Sequence, residues 1–340
     1  MWSLSIGAAP RAGRVLLVCF ALFCVPPFAG AQTAPPAEDA PPIRIGPVLL
    51  TGYIQYDYRA RDEGSANGAS DQPDQFYARR VRLQLFGPLA PGIKWAISAE
   101  TTGTPVLRDA YITLDYLPAA TLRIGQLVMP YGYERAVISS NTMEFTERVL
   151  ADLAPSRDAG LVLSNERPFF GWLTYGAAIH NGTGQNLPDN NGAKDGLLRL
   201  AATPPQAAGL AFGVNAARGD QPEGMRTRLG ADLVYERRSY HLGTEFLRER
   251  TRDGQQTQDG FYVFGSWRFY PKEPLRGLHH LEFAARYAQR RGPVVAGQWD
   301  LAANYYVHRG LRFMFDVVVP AAGEPDGSGA GLHARANIRF

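Results

Sequence analysis

The sequence predicts an all-β fold: a transmembrane antiparallel β-barrel of about sixteen strands, with an inward-folded third outer loop carrying a short helix. Three observations predict it. From residue 47 onward the chain consists of segments of about ten residues in which apolar and polar side chains alternate. The connections between these segments are alternately short and long, as the turns and loops of a membrane barrel are. Past the N-terminus no apolar run reaches the ~18 residues that a membrane helix needs, whereas alternating strands average out in any hydropathy window. With 45% apolar residues the chain is too apolar for intrinsic disorder.

Residues 1–31 read as a secretory signal peptide. Arg11 and Arg14 precede a short apolar stretch over 15–23, and Ala29-Gly30-Ala31 forms a small-residue cleavage site. Export of such a chain points to the outer membrane of a Gram-negative cell. Both cysteines, Cys19 and Cys24, lie in the signal, so the mature chain offers no disulfide, thiolate nucleophile or cysteine-held metal. Removing Arg11 and Arg14 leaves 33 basic side chains against 32 acidic, and only Lys94, Lys194 and Lys272 of the basic ones are lysine. This near-neutral balance argues against a nucleic-acid partner. Residues 32–46 form a Pro-rich periplasmic linker, and 47–340 form the barrel.

The strand segments run approximately over 47–60, 75–87, 92–102, 105–116, 120–128, 158–165, 171–181 and 194–204, then 209–218, 226–237, 240–250, 259–270, 277–290, 294–308, 310–319 and 330–340. The last is the clearest. Leu332, Ala334, Ala336, Ile338 and Phe340 share one face, and His333, Arg335, Asn337 and Arg339 the other. A soluble sandwich also alternates, but here the polar face repeats isolated Arg and Glu at mid-strand. A barrel with a lipid-facing exterior and a wet interior satisfies both faces. Arg79 falls in phase with Val81 and Leu83, which marks either a rim position or an error of register. The longest interruption, over 129–157, sits at the third outer loop. Asn141-x-x-Glu144 there is a helix-start signal, and 143–153 reads as two to three helical turns.

At this point the residues resemble the phosphate-selective porin O/P family of outer-membrane porins. The carrying motifs are Phe76-Tyr77-Ala78-Arg79-Arg80-Val81-Arg82, Arg108-Asp109-Ala110-Tyr111-Ile112, Arg123-Ile124-Gly125-Gln126 and Pro130-Tyr131-Gly132-Tyr133-Glu134. Ser139-Ser140, Glu147-Arg148 and Pro155-Ser156-Arg157-Asp158-Ala159-Gly160 continue the series, after which the likeness is one of texture and the terminal Phe340. The resemblance implies a sixteen-stranded homotrimeric barrel with a third loop constricting each pore, and a ladder of arginines with a group of lysines drawing phosphate through. With three lysines in the mature chain, the lysine part of that pattern is missing.

A channel of this kind needs no catalytic residue and no cofactor; fixed charges at a narrowing set what passes. The expected function is passive diffusion of small hydrophilic solutes, with an anion or phosphate preference to be tested. The alternative is a non-conducting barrel acting as an anchor or adhesin. Alternation gives Arg80, Arg82, Arg123, Arg226, Arg228, Arg286, Arg312, Arg335 and Arg339 as pore-lining anion candidates, with Asp57, Asp109, Asp115, Glu282 and Asp316 on the same side. The bland reading of most of these arginines is that they pair with neighbouring carboxylates and brace the wall. Glu134, Glu147, Arg148, Arg157 and Asp158 are expected to anchor the constricting loop. The expected partners are outer-membrane lipid, small inorganic anions or other small solutes, and two further copies of the chain. Ser239 with His241, or His180 with Asn181, could be offered as nucleophile machinery, but no orienting carboxylate is implied by either pair. The six histidines show no metal-ligand spacing.

Overall fold

The computed structural model describes residues 41–61, 74–103, 106–117, 119–139, 142–222, 224–251, 256–271, 277–292, 296–308, 310–321 and 330–340. The expected signal peptide and most of the expected linker lie outside the described residues, as does Asn141. Within the linker, β1 (Ile43–Ile45) turns at Gly46 and lies back antiparallel on β2.

Sixteen strands then follow in sequence order, each paired antiparallel with the next. They are β2 (Val48–Arg61), β3 (Gln75–Ala90), β4 (Ile93–Glu100), β5 (Val106–Leu117), β6 (Ala120–Val128), β7 (Arg157–Ser164), β8 (Leu173–His180) and β9 (Asp195–Ala202). The second half comprises β10 (Leu210–Gln221), β11 (Gly224–Arg237), β12 (Tyr240–Thr251), β13 (Gln256–Phe269), β14 (His280–Arg291), β15 (Ala296–His308), β16 (Leu311–Pro320) and β17 (Gly331–Arg339). Pairing of β17 with β2, from Gly331 opposite Arg61 to Arg339 opposite Tyr53, closes the ring. Gly52 and Phe340 exchange both backbone hydrogen bonds beyond that ladder, at 2.8 and 3.1 Å. Closure leaves no strand edge to satisfy, which is what the hydrocarbon of a bilayer demands.

The pleat explains the alternation read from the sequence. Leu83, Leu85, Ile97, Ile124, Leu161, Leu163, Leu198, Leu229 and Phe315 stand exposed on the outer surface, while Asp57, Arg199, Asp232, Glu245, Glu282, Arg286 and Arg335 are buried in the interior. This inverts the arrangement of a water-soluble protein and suits a wall between lipid and water. The interior is not uniformly polar. Met129, Tyr131, Phe145, Leu150 and Leu153 of the third loop form one apolar cluster with Leu247, Tyr262, Phe264, Ala284, Ala288 and Ala302, which face inward from β12 to β15. Burying these side chains drives the loop into the lumen and against that part of the wall.

Two local departures aim the functional residues. Between Gln55 and Tyr56 of β2 the register with β3 shifts by one residue, so that Arg80 faces Gln55, Ala78 faces Tyr56, and Arg79 has no partner. This β-bulge reverses the phase of the strand. Arg79 therefore points inward like Arg80, not outward with Val81 and Leu83 as the unbroken alternation predicts. At Gly125 of β6 the backbone has φ +135°, and a Cβ there would stand 2.2 Å from the carbonyl oxygen of Ala110.

Candidate functional site

The third loop carries the site's geometry. Among its described residues the one helical piece is a single π-turn at Tyr133–Val137, and the two to three turns of helix expected over 143–153 are absent. The reason is competition for backbone donors. A helix would use its N–H groups within the chain, but here carboxylates take them. Asp316 accepts from the N–H of Thr146 at 2.5 Å, and Glu134 accepts from Val149 and Leu150 at 2.9 Å each. Glu245 on β12 accepts from the N–H groups of Tyr133 and Glu134 at 2.7 and 3.0 Å.

Ion pairs fasten the same loop around the barrel. Arg286 on β14 bridges Asp300 (2.7 Å) and Glu134 (3.3 Å), donates to the carbonyl of Glu147 (2.9 Å) and stacks on Phe145. Arg335 on β17 holds Asp57 with two bonds of 2.7 Å and donates to the carbonyl of Thr146 at 2.6 Å. Glu144 receives His241 Nδ1 at 2.5 Å, and the Tyr133 hydroxyl meets the other ring nitrogen of His241 at 2.9 Å. Glu147 reaches Arg79 at 2.9 Å, Arg335 at 3.4 Å and Arg59 at 3.6 Å. Burial works against its ionisation, yet Arg79, Arg335 and Arg80 outweigh that and hold the carboxyl at about 2. The bulge at Arg79 is what makes this contact possible.

The loop leaves two cavities in the lumen. The first, of about 460 Å³, is lined by Arg80, Arg82, Arg108, Arg135, Arg148, Arg157 and Arg339, with Asp109 the one acidic side chain. Arg82 is paired with Glu100 (3.0 Å) and Arg157 with Asp109 (2.8 Å), whereas Arg80 bonds the neutral Gln55 (2.9 Å). Among the described residues no carboxylate lies within ion-pair distance of Arg80, Arg108 or Arg135; Arg135 bonds the hydroxyl of Ser156. Burial, then the charges of Arg148 and Arg157, brings Arg135 down to about 10, so it is still cationic at neutral pH. The second cavity, of about 470 Å³, lies at the long-loop end of β8 and β11 and includes Asp158, His180, Arg226 and Arg228. Arg135 and Arg157 line both and stand between them.

The arginines expected from alternation separate into distinct settings. Arg80, Arg82 and Arg339 line the first cavity, and Arg226 and Arg228 the second, where they pair with Asp195 (3.4 Å) and Glu249 (2.5 Å). Arg123 pairs with Glu166 at the short-turn end. Arg286, Arg312 and Arg335 are each at most 3% exposed, and Arg286 and Arg335 grip the loop where a free lumen wall was expected. Arg312 bonds the hydroxyl of Tyr306. Of the expected loop anchors, Glu134 and Glu147 bind the wall, while Arg148 ties the loop to itself through the carbonyls of Glu134 and Ile138. Arg157 and Asp158 belong to β7, where they pair with Asp109 and His180. Arg108, Arg135 and Glu245 were not anticipated. For Arg135 no periodic signal exists, since it sits in irregular backbone. For Arg108 the signal was hidden by the bulge opposite Ser98 and Ala99. His241, read as lacking a carboxylate, meets one from the distant loop.

The comparisons agree with this architecture. The sequence model of phosphate-selective porin O and P proteins matches residues 48–223, just over half of the chain. Among solved structures, OmpF of Salmonella typhi, in complex with daunomycin, is 14% identical with a TM-score of 0.61, covering 86% of this chain and 97% of that one. The outer membrane channel DcaP of Acinetobacter baumannii is 11% identical with a TM-score of 0.61 and the same coverage. A trimer form of OmpT, an outer membrane protein of Vibrio cholerae, is 10% identical with a TM-score of 0.58, covering 86% and 99%. No curated protein sequence matches the chain.

Proposed function

The chain belongs to the phosphate-selective porin O and P family, and from that premise we propose that its pore is anion-preferring, with the narrowing between Arg135 and Arg157 as the selective step. The family and the fold make it an outer-membrane porin channel. The single observation that carries the preference is the first cavity, where seven guanidinium groups face one acidic side chain. Solutes enter the second cavity at the long-loop end, pass Arg135 and Arg157, and leave along Arg108, Arg80, Arg82 and Arg339 toward the short-turn end. Guanidinium pairs bind phosphate and carboxylate groups well. Conduction requires that no site hold the anion long, and the carboxylates beside Arg82 and Arg157 limit how tightly it is held.

Phosphate as the favoured ion, export by a signal over 1–31, and assembly as a homotrimer in outer-membrane lipid complete the reading. The trimer is supported by the family and by the trimer form of the Vibrio protein. The test is the zero-current potential of the purified protein in a planar bilayer under a potassium chloride gradient. A potential on the chloride side supports the reading, and one on the cation side refutes it. Absence of any conductance would return the chain to the closed anchor barrel.

A further inference from the structure

The second cavity holds a hydrogen-bonding pattern unlike that of the first. Asp158 lies at its wall, and its carboxylate collects three donors: Ala159 N–H at 2.8 Å on one oxygen, and Gly182 N–H at 2.6 Å with His180 Nδ1 at 2.8 Å on the other. A carboxylate that accepts three bonds is an acceptor only. The Gly182 N–H also lies 3.2 Å from Nδ1, but its shorter bond, 2.6 Å, goes to the carboxylate. With Asp158 accepting at 2.8 Å, the proton of a neutral His180 ring resides on Nδ1 and Nε2 carries a lone pair. His180 is 3% exposed, it lines the cavity, and Nε2 has no partner among the described residues. Two further groups of the same lining are also without partners there: the Thr183 hydroxyl and Arg226 Nε.

These three atoms ask for complementary things. Arg226 Nε can only donate and wants an oxygen acceptor, whereas His180 Nε2 can only accept and wants a hydrogen. Chloride, acetate or sulfate offers acceptors alone, which would suit the guanidinium groups and leave Nε2 unsatisfied. A buried polar atom left unpaired is costly, so a ligand that pairs it gains over one that does not. The atoms lie just beneath the cavity surface, so a ligand group reaches them by a small shift of the lining side chains.

We propose that this cavity is a selectivity site for hydroxycarboxylates, with the carboxylate toward Arg226 and Arg228 and the hydroxyl hydrogen donated to His180 Nε2. Thr183 completes the contact through its hydroxyl. The inference rests on the channel reading but concerns a different cavity from the one that sets the anion preference.

The experiment compares glycolate with acetate, which differ by one hydroxyl, and hydrogen phosphate with sulfate, in bi-ionic planar-bilayer recordings of the full-length protein at pH 8. The wild type is expected to pass glycolate about threefold better than acetate, a ratio that one net hydrogen bond supports. His180→Phe keeps the ring shape, removes the acceptor together with the donor to Asp158, and is expected to bring the ratio to about one in channels that still conduct chloride. Thr183→Val, in the loop and outside every ion pair of the wall, is expected to lower the ratio without touching expression or folding. A glycolate-to-acetate ratio near one in the wild type, with chloride conductance intact, overturns this inference and leaves the channel reading standing. A loss of all conductance would instead strike the channel reading. Preference for hydrogen phosphate over sulfate without any preference for glycolate would overturn the assignment to carboxylates.

Discussion

Arg286 is the side chain whose replacement should release the constriction. It is 3% exposed and satisfies Asp300, Glu134 and the carbonyl of Glu147 together, with its guanidinium carbon 4.3 Å from the centre of the Phe145 ring. Arg286→Met keeps the bulk and deletes the charge, leaving Asp300 and Glu134 as buried carboxylates without their shared cation. Breaking a buried pair in this way costs about 3–5 kcal/mol. The cost falls on the docked loop, because Asp300 can rehydrate once the loop lifts, so the lifted population should rise by roughly 10²-fold or more. The loop stays tethered by Arg335 and Glu245, so the barrel itself persists. Single-channel recordings of Arg286→Met should show larger mean conductance and frequent steps between two levels, and chymotrypsin should cut near Phe145. Arg286→Lys should lie between, as an ammonium group cannot reproduce the forked contacts. If the Met variant matches the wild type in mean conductance, noise and cleavage, the loop is not held by this residue and the reasoning fails.

Three other outcomes are expected. Glu147 has its carboxyl held at about 2 against an ordinary 4.5, so its ion pairs stabilise the folded loop above about pH 4.5, and that contribution disappears as pH falls toward 2. Discounted for its partial exposure, the effect is about 1–3 kcal/mol. Melting temperatures of wild type and Glu147→Gln in detergent should differ at pH 7 and converge near pH 2. Gly125→Ala should destabilise the β5–β6 pair by more than about 2 kcal/mol, because its Cβ would lie 2.2 Å from Ala110 O in a backbone region L residues avoid; urea titration of the folded barrel measures it. Arg108→Gln and Arg135→Gln should each lower the chloride-to-potassium permeability ratio severalfold at low salt. The effect should shrink in 1 M salt, where the screening length falls to about 3 Å.

Most of the wall was legible in the sequence because lipid on one side and water on the other impose a period of two, which the inward apolar patch of β12 to β15 interrupts only locally. All sixteen expected segments overlap barrel strands, and residues 120–128 agree to the residue with β6. The bulge at Arg79 was written there as well. The outward apolar positions change parity between Ala78 and Val81, and a strand that changes parity must insert a residue. The loop was harder. Asn141-x-x-Glu144 resembles a helix start, but local propensity counts for little where Asp316 and Glu134 take the N–H groups of Thr146, Val149 and Leu150. Glu144 itself is taken by His241. The inward aromatic residues Tyr262 and Phe264 were a missed sign, since apolar side chains on both faces of a strand mean that something packs inside.

The long reach of the loop's fastenings has a consequence for biogenesis. Arg335 and Asp57 lie 278 positions apart and meet only when the last strand zips onto the first, and the seat for Thr146 is made from β16 and β17. Contacts so distant in sequence form late, after the chain entropy of closing the ring has been overcome. The loop can rest on Glu245 and Arg286 while the ring is still open, but its last fastening is made only by closure, so the narrowing takes its final shape together with the barrel.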